Sequence, residues 1–304
     1  VAAGLVAGGG GLSGVAETVF VFVGVPDWGG LFLLDLYCIG QATIMSHFSL
    51  LACLITVVMT PWHLEAQDAP RGISCEGIYP HHLQGFCTDE KGMIYWSFTT
   101  TLVKTDPRGK VLTKISVGNH HGGLCQQDGK LYVAVNFGPF NDPDGKADSW
   151  VYVYKASTLA LLRKHKTPEL IYGAGGMACH DGKFIVIGGL PETLQENYLY
   201  QYDQSFKFLK KHVLKTGYTE LGIQTAAFID GHWWFGCNGN KLLKTDSKFH
   251  LVGTYDIEAG MGIAGGTTQT YWIARGTTTK GKGCTGRIVP ATADKTRGLI
   301  LRSQ

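Results

Sequence analysis

The chain has 304 residues, of which 42 are glycine with no collagen-like period; 11% are aromatic and 17% charged. That composition excludes a disordered chain and a collagen-like fibre, and it suits an all-β protein with many turns. All 27 Lys and Arg lie from Arg71 on, whereas five of the 24 acids precede it, so residues 71–304 carry a formal net charge of +8. This excess weakly favours an anionic partner. With no Lys/Arg-rich run, nucleic acid is not expected as one.

In chain order, residues 1–44 come first and are apolar, starting with Val; the first methionine is Met45. From there "MSHFSLLACLITVVMTPWHLEA" gives an apolar core, Leu50 to Met59, then a Pro and a polar stretch ending in a small residue. That is the order of a secretory signal. Residues 45–66 are therefore expected to be a signal peptide cut near Ala66, with 1–44 an upstream segment outside the mature protein. The expected location is secreted or periplasmic. The rival reading is a membrane anchor facing outside the cytoplasm, with spans at 15–37 and 44–60. Pro26, Asp27 and Asp35 are costly in hydrocarbon, and no basic residue flanks either segment to set its orientation.

Residues 67–304 repeat one unit. The first hairpins read "GFCTDEKGMIYWSF", "GLCQQDGKLYVAV", "GMACHDGKFIVIG", "AAFIDGHWWFGC" and "IAGGTTQTYWIAR". Lys91-Gly92, Asp128-Gly129, Asp181-Gly182 and Asp230-Gly231 are hairpin turns, because Gly accepts positive φ. The fifth turn, near Thr267–Gln269, is degenerate. Each unit continues into a second hairpin, such as "TLVKTDPRGKVLTKI" or "YLYQYDQSFKFLKKH". Four strands per unit, recurring every 37 to 53 residues by the turn glycines, predict a five-bladed β-propeller with four antiparallel strands per blade. A lone blade cannot bury both faces, and packing blades around an axis does so. Trp96, Trp233 and Trp234 read as blade packing. Asp106, Asp203 and Asp246 recur in "KTD", "QYD" and "KTD" and read as turn residues. The place of "GISCEGIYP", ahead of the first unit, stays open.

Strand alternation puts the link into each first strand and the link from second to third strand at the same end. That end carries "YPHHLQG" and "VGNHHGG", with long links in blades two ("NFGPFNDPDGKADS"), three ("GGLPETLQEN") and five ("GTTTKGKGCTG"). Long loops on a rigid scaffold mark a working face. Aligned on the turns, His82 and His120 form one layer near the axial mouth, and Gln84 and Gln224 the next; the other blades offer glycine there. This is a candidate pocket for a small polar or anionic ligand. His82 and His120 are candidate bases or ligands of a divalent metal, and Glu220 in "TGYTELGIQ" a candidate acid or base. His81, Gln84, His121, Gln224 and Arg275 are candidate ligand contacts, although His121 is one residue out of phase and could point into its blade. The competing reading is a wet channel with strand-end capping. The acidic Asn141–Asp148 stretch lacks calcium-loop spacing and reads as a solvated loop.

Of the eight cysteines, Cys38 and Cys53 precede the expected cut. Cys87, Cys125 and Cys179 fall in inner strands of different blades, which is expected to keep them apart as buried thiols. Cys75–Cys87 and Cys237–Cys284 are candidate pairs if the protein is exported, with no connectivity chosen. No CxxC spacing supports zinc.

"HLQG" followed by "YWSFTTTLVKTDPRGKVL", together with the five units of an exported chain, resembles the five-bladed glutamine cyclotransferases of plants and bacteria. As a repeat pattern the likeness spans most of 79–304, while the specific match lies in blade one. The resemblance implies that Gln84 lines the pocket. The family's catalytic glutamate falls on Gly122, and its pocket tryptophans fall on Asn136 and near Gly175, so cyclisation of N-terminal glutamine is not implied. The chain also broadly resembles gluconolactonase-like and NHL-type propellers, which speaks for fold. The functional expectation is a monomeric exported propeller with a small polar ligand, such as a sugar derivative, at its mouth, acting as a lyase or hydrolase. The alternative is a non-catalytic propeller that binds a ligand, or a protein partner through the loops of blades two and three.

Overall fold

The computed structural model describes residues 72–266 and 270–302, and upstream only a short antiparallel backbone pairing of Val19–Phe20 with Asp35–Leu36. The chain divides into two units, Val1–His63 and Leu64–Gln304. The expected signal peptide and the rival span 44–60 lie outside the described residues, as does the degenerate turn at Thr267–Gln269; of the rival span 15–37 only the paired Val19–Phe20 and Asp35–Leu36 are described. Among the described residues no helix is long and apolar enough to cross a membrane.

The second unit opens with β1 (Ile73–Ser74) and is otherwise a five-bladed propeller. Blade 1 holds β2 (Leu83–Thr88), β3 (Ile94–Phe98), β4 (Thr101–Thr105) and β5 (Val111–Ser116). Blade 2 holds β6 (His121–Gln127), β7 (Lys130–Asn136), β8 (Ser149–Lys155) and β9 (Leu161–Lys166). Blade 3 holds β10 (Ala174–His180), β11 (Lys183–Gly188), β12 (Asn197–Tyr202) and β13 (Phe208–Leu214). Blade 4 holds β14 (Ile223–Ile229), β15 (His232–Cys237), β16 (Leu242–Thr245) and β17 (Leu251–Tyr255). Blade 5 holds β18 (Ile263–Gly265), β19 (Thr270–Thr279), β20 (Gly283–Asp294) and β21 (Gly298–Leu301). In every blade consecutive strands pair antiparallel.

The turns follow the side chains that begin them. The carboxylate of Asp106 accepts from the backbone N–H of Arg108 and Lys110, Asp203 from Ser205 and Lys207, and Asp246 from Lys248 and His250. These are the local bonds that make Asp a turn former. Burial is interblade. Five apolar clusters each draw on two neighbouring blades, and the cluster of blades 1 and 5 contains Trp96 and Phe98, both fully buried. Each large aliphatic or aromatic side chain so placed contributes about 1.5–3 kcal/mol. Trp96 Nε1 donates to Thr105 Oγ1 at 3.1 Å, which satisfies its one polar atom.

The "GISCEGIYP" stretch closes the ring. Ile73 and Ser74 pair with Ile288 and Arg287 of β20, and Tyr79 and Cys284 exchange backbone hydrogen bonds of 2.9 and 2.7 Å. Glu76 holds the other side, its N–H donating to Gly109 O and its carboxylate accepting from Val111 N, each at 2.9 Å. The lead-in therefore fastens blade 5 to blade 1. The expected long link of blade 5 is not a loop. Thr277–Thr279 and Gly283–Thr285 remain paired, so the segment is a β-ribbon with its turn at Lys280–Lys282.

Candidate functional site

The inner strands bend in the same place. Pairing with the second strand skips Gln84 in β2, Gly175 in β10 and Gln224 in β14, and breaks across Gly122-Gly123 in β6. Such bulges re-aim side chains. Gln84 and Gln224 thereby reach one cavity at the end of the axis. The strands crowd here: a Cβ on Gly85 would lie 2.8 Å from Gly123 Cα, so only glycine allows this approach.

The cavity measures about 360 Å³ and is lined by His82, Leu83, Gln84, Asn119, His120, Asn136, Phe137, Gly138, Phe140, Leu221, Gln224, Asn238, Gly239, Glu258, Gly260 and Met261. Size and mixed lining suit a small molecule. At its centre one carboxamide joins two imidazoles. Gln84 Nε2 donates to His82 Nε2 and, at 2.9 Å, to His120 Nε2; Thr99 Oγ1 lies 3.2 Å from the same nitrogen. Both ring Nε2 atoms accept, so each imidazole carries its proton on Nδ1. Burial lowers both histidine pKa values, and the neighbouring ring adds to it, His81 acting on His82 and His82 on His120. Both are neutral at pH 7.

Two further groups define the chemistry. Asn136 is buried, its Nδ2 donates to Gly138 O at 2.8 Å, and its Oδ1 has no hydrogen-bond partner. Among the described residues Glu258 is the one acidic residue of the lining, and no Lys or Arg is part of it. Its backbone oxygen accepts from Arg275 Nη1 at 2.9 Å, which pins the link into β18.

The structure brings together His82, Gln84, His120 and Gln224 and leaves four expected residues outside. His121 is fully buried: Nε2 bonds Tyr154 Oη and Nδ1 bonds Gly118 O, both at 2.7 Å. As the residue out of phase with His120, it faces the packing between blades 1 and 2 and not the cavity. His81 is exposed with φ at 65° and turns away from the lining. Arg275 is spent on the carbonyls of Glu258 and Ala274. Its guanidinium pKa is lowered by burial, against the opposing effect of the Glu258 carboxylate. Glu220 is exposed beside Gly239 at the rim, so the carboxylate in the cavity is Glu258 and not Glu220.

The donor set does not fit a divalent cation. Among the described residues no group of three or more His, Cys, Asp or Glu is close enough to share one, and His82 and His120 both direct Nε2 at the Gln84 amide. The Asn141–Asp148 stretch is likewise tied up within the protein, with Asn141 Oδ1 accepting from Leu190 N and Asp144 paired with Lys146.

Glu258 was hidden in the sequence, whereas Asn136 stood where the family resemblance places a pocket tryptophan. "YDIEAGMG" is the link into the inner strand of blade 5, the counterpart of "YPHHLQG", but the degenerate turn of that blade denies it an alignment. Asn136 ends a second strand, where only geometry shows a buried, unpaired oxygen.

No protein-family model matches the chain, and no curated protein is significantly similar to it in sequence. Solved structures are more informative. The chain is similar in fold to a glutaminyl cyclase. That enzyme, from Myxococcus xanthus, aligns with a TM-score of 0.50 at 15% identity over 74% of this chain and 100% of its own. A protein of unknown function from Bacteroides caccae aligns at 0.48 and 12% identity over 77% and 94%. At 15% identity the likeness to the cyclase concerns the fold alone and says nothing about chemistry.

Proposed function

We propose that the axial cavity binds a small polar molecule that presents hydrogen-bond donors, and that binding is its primary role. The observation that carries this is Asn136 Oδ1, a buried acceptor with no partner in a cavity wall. Such an atom costs about 1–3 kcal/mol unless a partner arrives. Glu258 adds a second acceptor, and Phe137, Phe140, Leu221 and Met261 supply apolar walls. A sugar derivative or a small amide meets that description. With neutral histidines and no Lys or Arg in the lining among the described residues, an anion is the poorer fit.

Catalysis as a hydrolase or lyase is the second reading. It is favoured by two neutral imidazoles and a carboxylate on one cavity, which could share proton transfer. It requires Gln84 to release an Nε2 atom, which makes binding the simpler reading. The five-bladed fold shared with a glutaminyl cyclase is compatible with either, and Gly122 stands where the family resemblance would put the acid.

The test is calorimetric titration with neutral sugars, lactones, amino sugars and primary amides, followed by turnover assays of whatever binds. Saturable binding that weakens at least about tenfold in Asn136→Ala and in Glu258→Gln supports the site. A ligand whose affinity neither substitution changes removes it. Export belongs to the same proposal. N-terminal sequencing of protein recovered outside the cytoplasm should begin near Gln67, and retention of residues 45–66 there would favour the anchor.

A further inference from the structure

The inner strands carry a second chemical feature that the mouth does not use. Cys125 on β6 and Cys179 on β10 belong to neighbouring blades and share one apolar layer. The sequence expectation kept them apart because their blades differ. The structure corrects this, because inner strands converge on the axis. A Cβ on Gly123 would lie 3.0 Å from Gly176 Cα, which shows how closely β6 and β10 run just ahead of the two cysteines. The Cys179 thiol donates to Gln126 O at 3.4 Å, the carbonyl of the residue after Cys125. Cys125 is buried and Cys179 partly exposed, and both are free thiols. Cys87 sits in the next layer, between blades 1 and 2, and is not part of the pair. The other candidate pairs, Cys75–Cys87 and Cys237–Cys284, are each split between two different apolar layers.

We propose that Cys125 and Cys179 are a reactive dithiol that small disulfides oxidise to a disulfide joining blades 2 and 3. Cys179 is the attacking group, because it is the accessible one of the two. The neighbouring Cys125 thiol pulls the Cys179 pKa below the usual thiol value, while burial pushes Cys125 well above it. The Cys179 sulfur gives up its proton and attacks one sulfur of the disulfide RSSR. A Cys179–SR bond forms, the S–S bond of RSSR breaks, and RS⁻ leaves to take a proton. Cys125 then loses its proton and attacks the Cys179 sulfur, expelling the second RS⁻, which is protonated in turn. The protein loses two hydrogens and two electrons, and the small disulfide becomes two thiols. The bond would add a covalent tie between two blades that meet through apolar packing, inner-strand contacts and hydrogen bonds such as those from Ala174 N to Ser149 Oγ and from Leu190 N to Asn141 Oδ1.

The test uses the full chain with oxidised glutathione, followed by alkylation, digestion without reductant and mass spectrometry. The expected product is a peptide joining Cys125 to Cys179, with two glutathione molecules released, in wild type and equally in Cys87→Ser. Cys125→Ser should trap glutathione on Cys179, since the resolving thiol is gone. The proposal is overturned if both cysteines remain alkylated as free thiols in the folded protein, or if Cys179→Ser consumes oxidised glutathione as fast as wild type. The wild-type peptide map decides the matter even if a serine variant fails to fold.

Discussion

The mouth of the axis and the layer between blades 1 and 2 take one histidine each from the dipeptide His120-His121. Both imidazoles are kept neutral mainly by loss of solvent. They differ in what the fold leaves undone. His121 has both ring nitrogens matched, by Tyr154 and by the Gly118 carbonyl, with the edge of the ring packed against Tyr152. His120 is half-buried, meets Gln84 through one nitrogen and opens onto a cavity whose lining includes Asn136, a residue with a buried, unpaired side-chain oxygen. Burial and a lowered pKa therefore do not mark function by themselves. Hydrogen-bonding capacity left unused by a residue of a cavity wall is the better sign, since Thr167 Oγ1 and Trp234 Nε1 are also unpaired but belong to residues outside the lining.

The comparison breaks most visibly on truncation. His121→Ala removes a fully buried ring and strands Tyr154 Oη and Gly118 O, so urea unfolding should show a loss of about 3–4 kcal/mol. His120→Ala, next door in the chain, should cost under about 1 kcal/mol. Equal losses at the two positions would refute the division.

Acid sharpens it. The pKa of His121 is lowered from an ordinary value near 6.5 to about 4. The unfolded chain takes up a proton below about 6.5 while the folded one does not, so the contribution of this residue is complete above that pH. It drains away as the pH falls toward 4, by up to about 3 kcal/mol. His82 and His120 act with the same sign. Equilibrium unfolding across pH 7 to 4 should show this slope in wild type and in His120→Ala, and a much flatter one in His121→Phe. A slope that survives in His121→Phe would place the acid sensitivity elsewhere.

Much of the fold was legible because Lys-Gly or Asp-Gly turns and alternating strands repeat visibly over four blades, and the phase of Gln84, His82, His120 and Gln224 could be counted from those turns. The rest was lost where the period fails. Thr267–Gln269 has no turn glycine, so "YDIEAGMG" could not be aligned and Glu258 went unseen. Two-residue β1 is too short to show a pattern, although it closes the ring. Cys125 and Cys179 sit at different steps from their aligned glycines, and only convergence of the strands at the axis makes them neighbours. The blade 5 link looked like a loop for its threonines and glycines, which the ribbon of β19 and β20 holds in register.

A smaller effect isolates the bridge between the imidazoles. Gln84→Ala removes the carboxamide that holds both Nε2 atoms and opens the site to water. The pKa values of His82 and His120 should rise toward the ordinary value in an NMR titration, while His121 stays near 4. Stability should change by less than about 1 kcal/mol, since the groups lie at a rim that water can reach. If His82 and His120 keep their lowered values, their shifts come from the surrounding walls and not from the enclosure that Gln84 helps to form.

The smallest effect on the fold should accompany a large one on binding. Asn136→Leu keeps the approximate volume and exchanges two polar atoms for methyl groups. It gives up the hydrogen bond from Nδ2 to Gly138 O, worth about 1 kcal/mol, and relieves Oδ1 of its unpaired burial, worth about the same or more. The two nearly cancel, so the unfolding free energy should stay within about 1 kcal/mol of wild type. A donor-bearing ligand would lose its partner outright, and its affinity should fall about tenfold or more. A structural Asn would show the opposite pattern, a clear loss of stability with binding intact. The pair of measurements on this one variant separates an acceptor kept for a ligand from one that merely caps the end of β7.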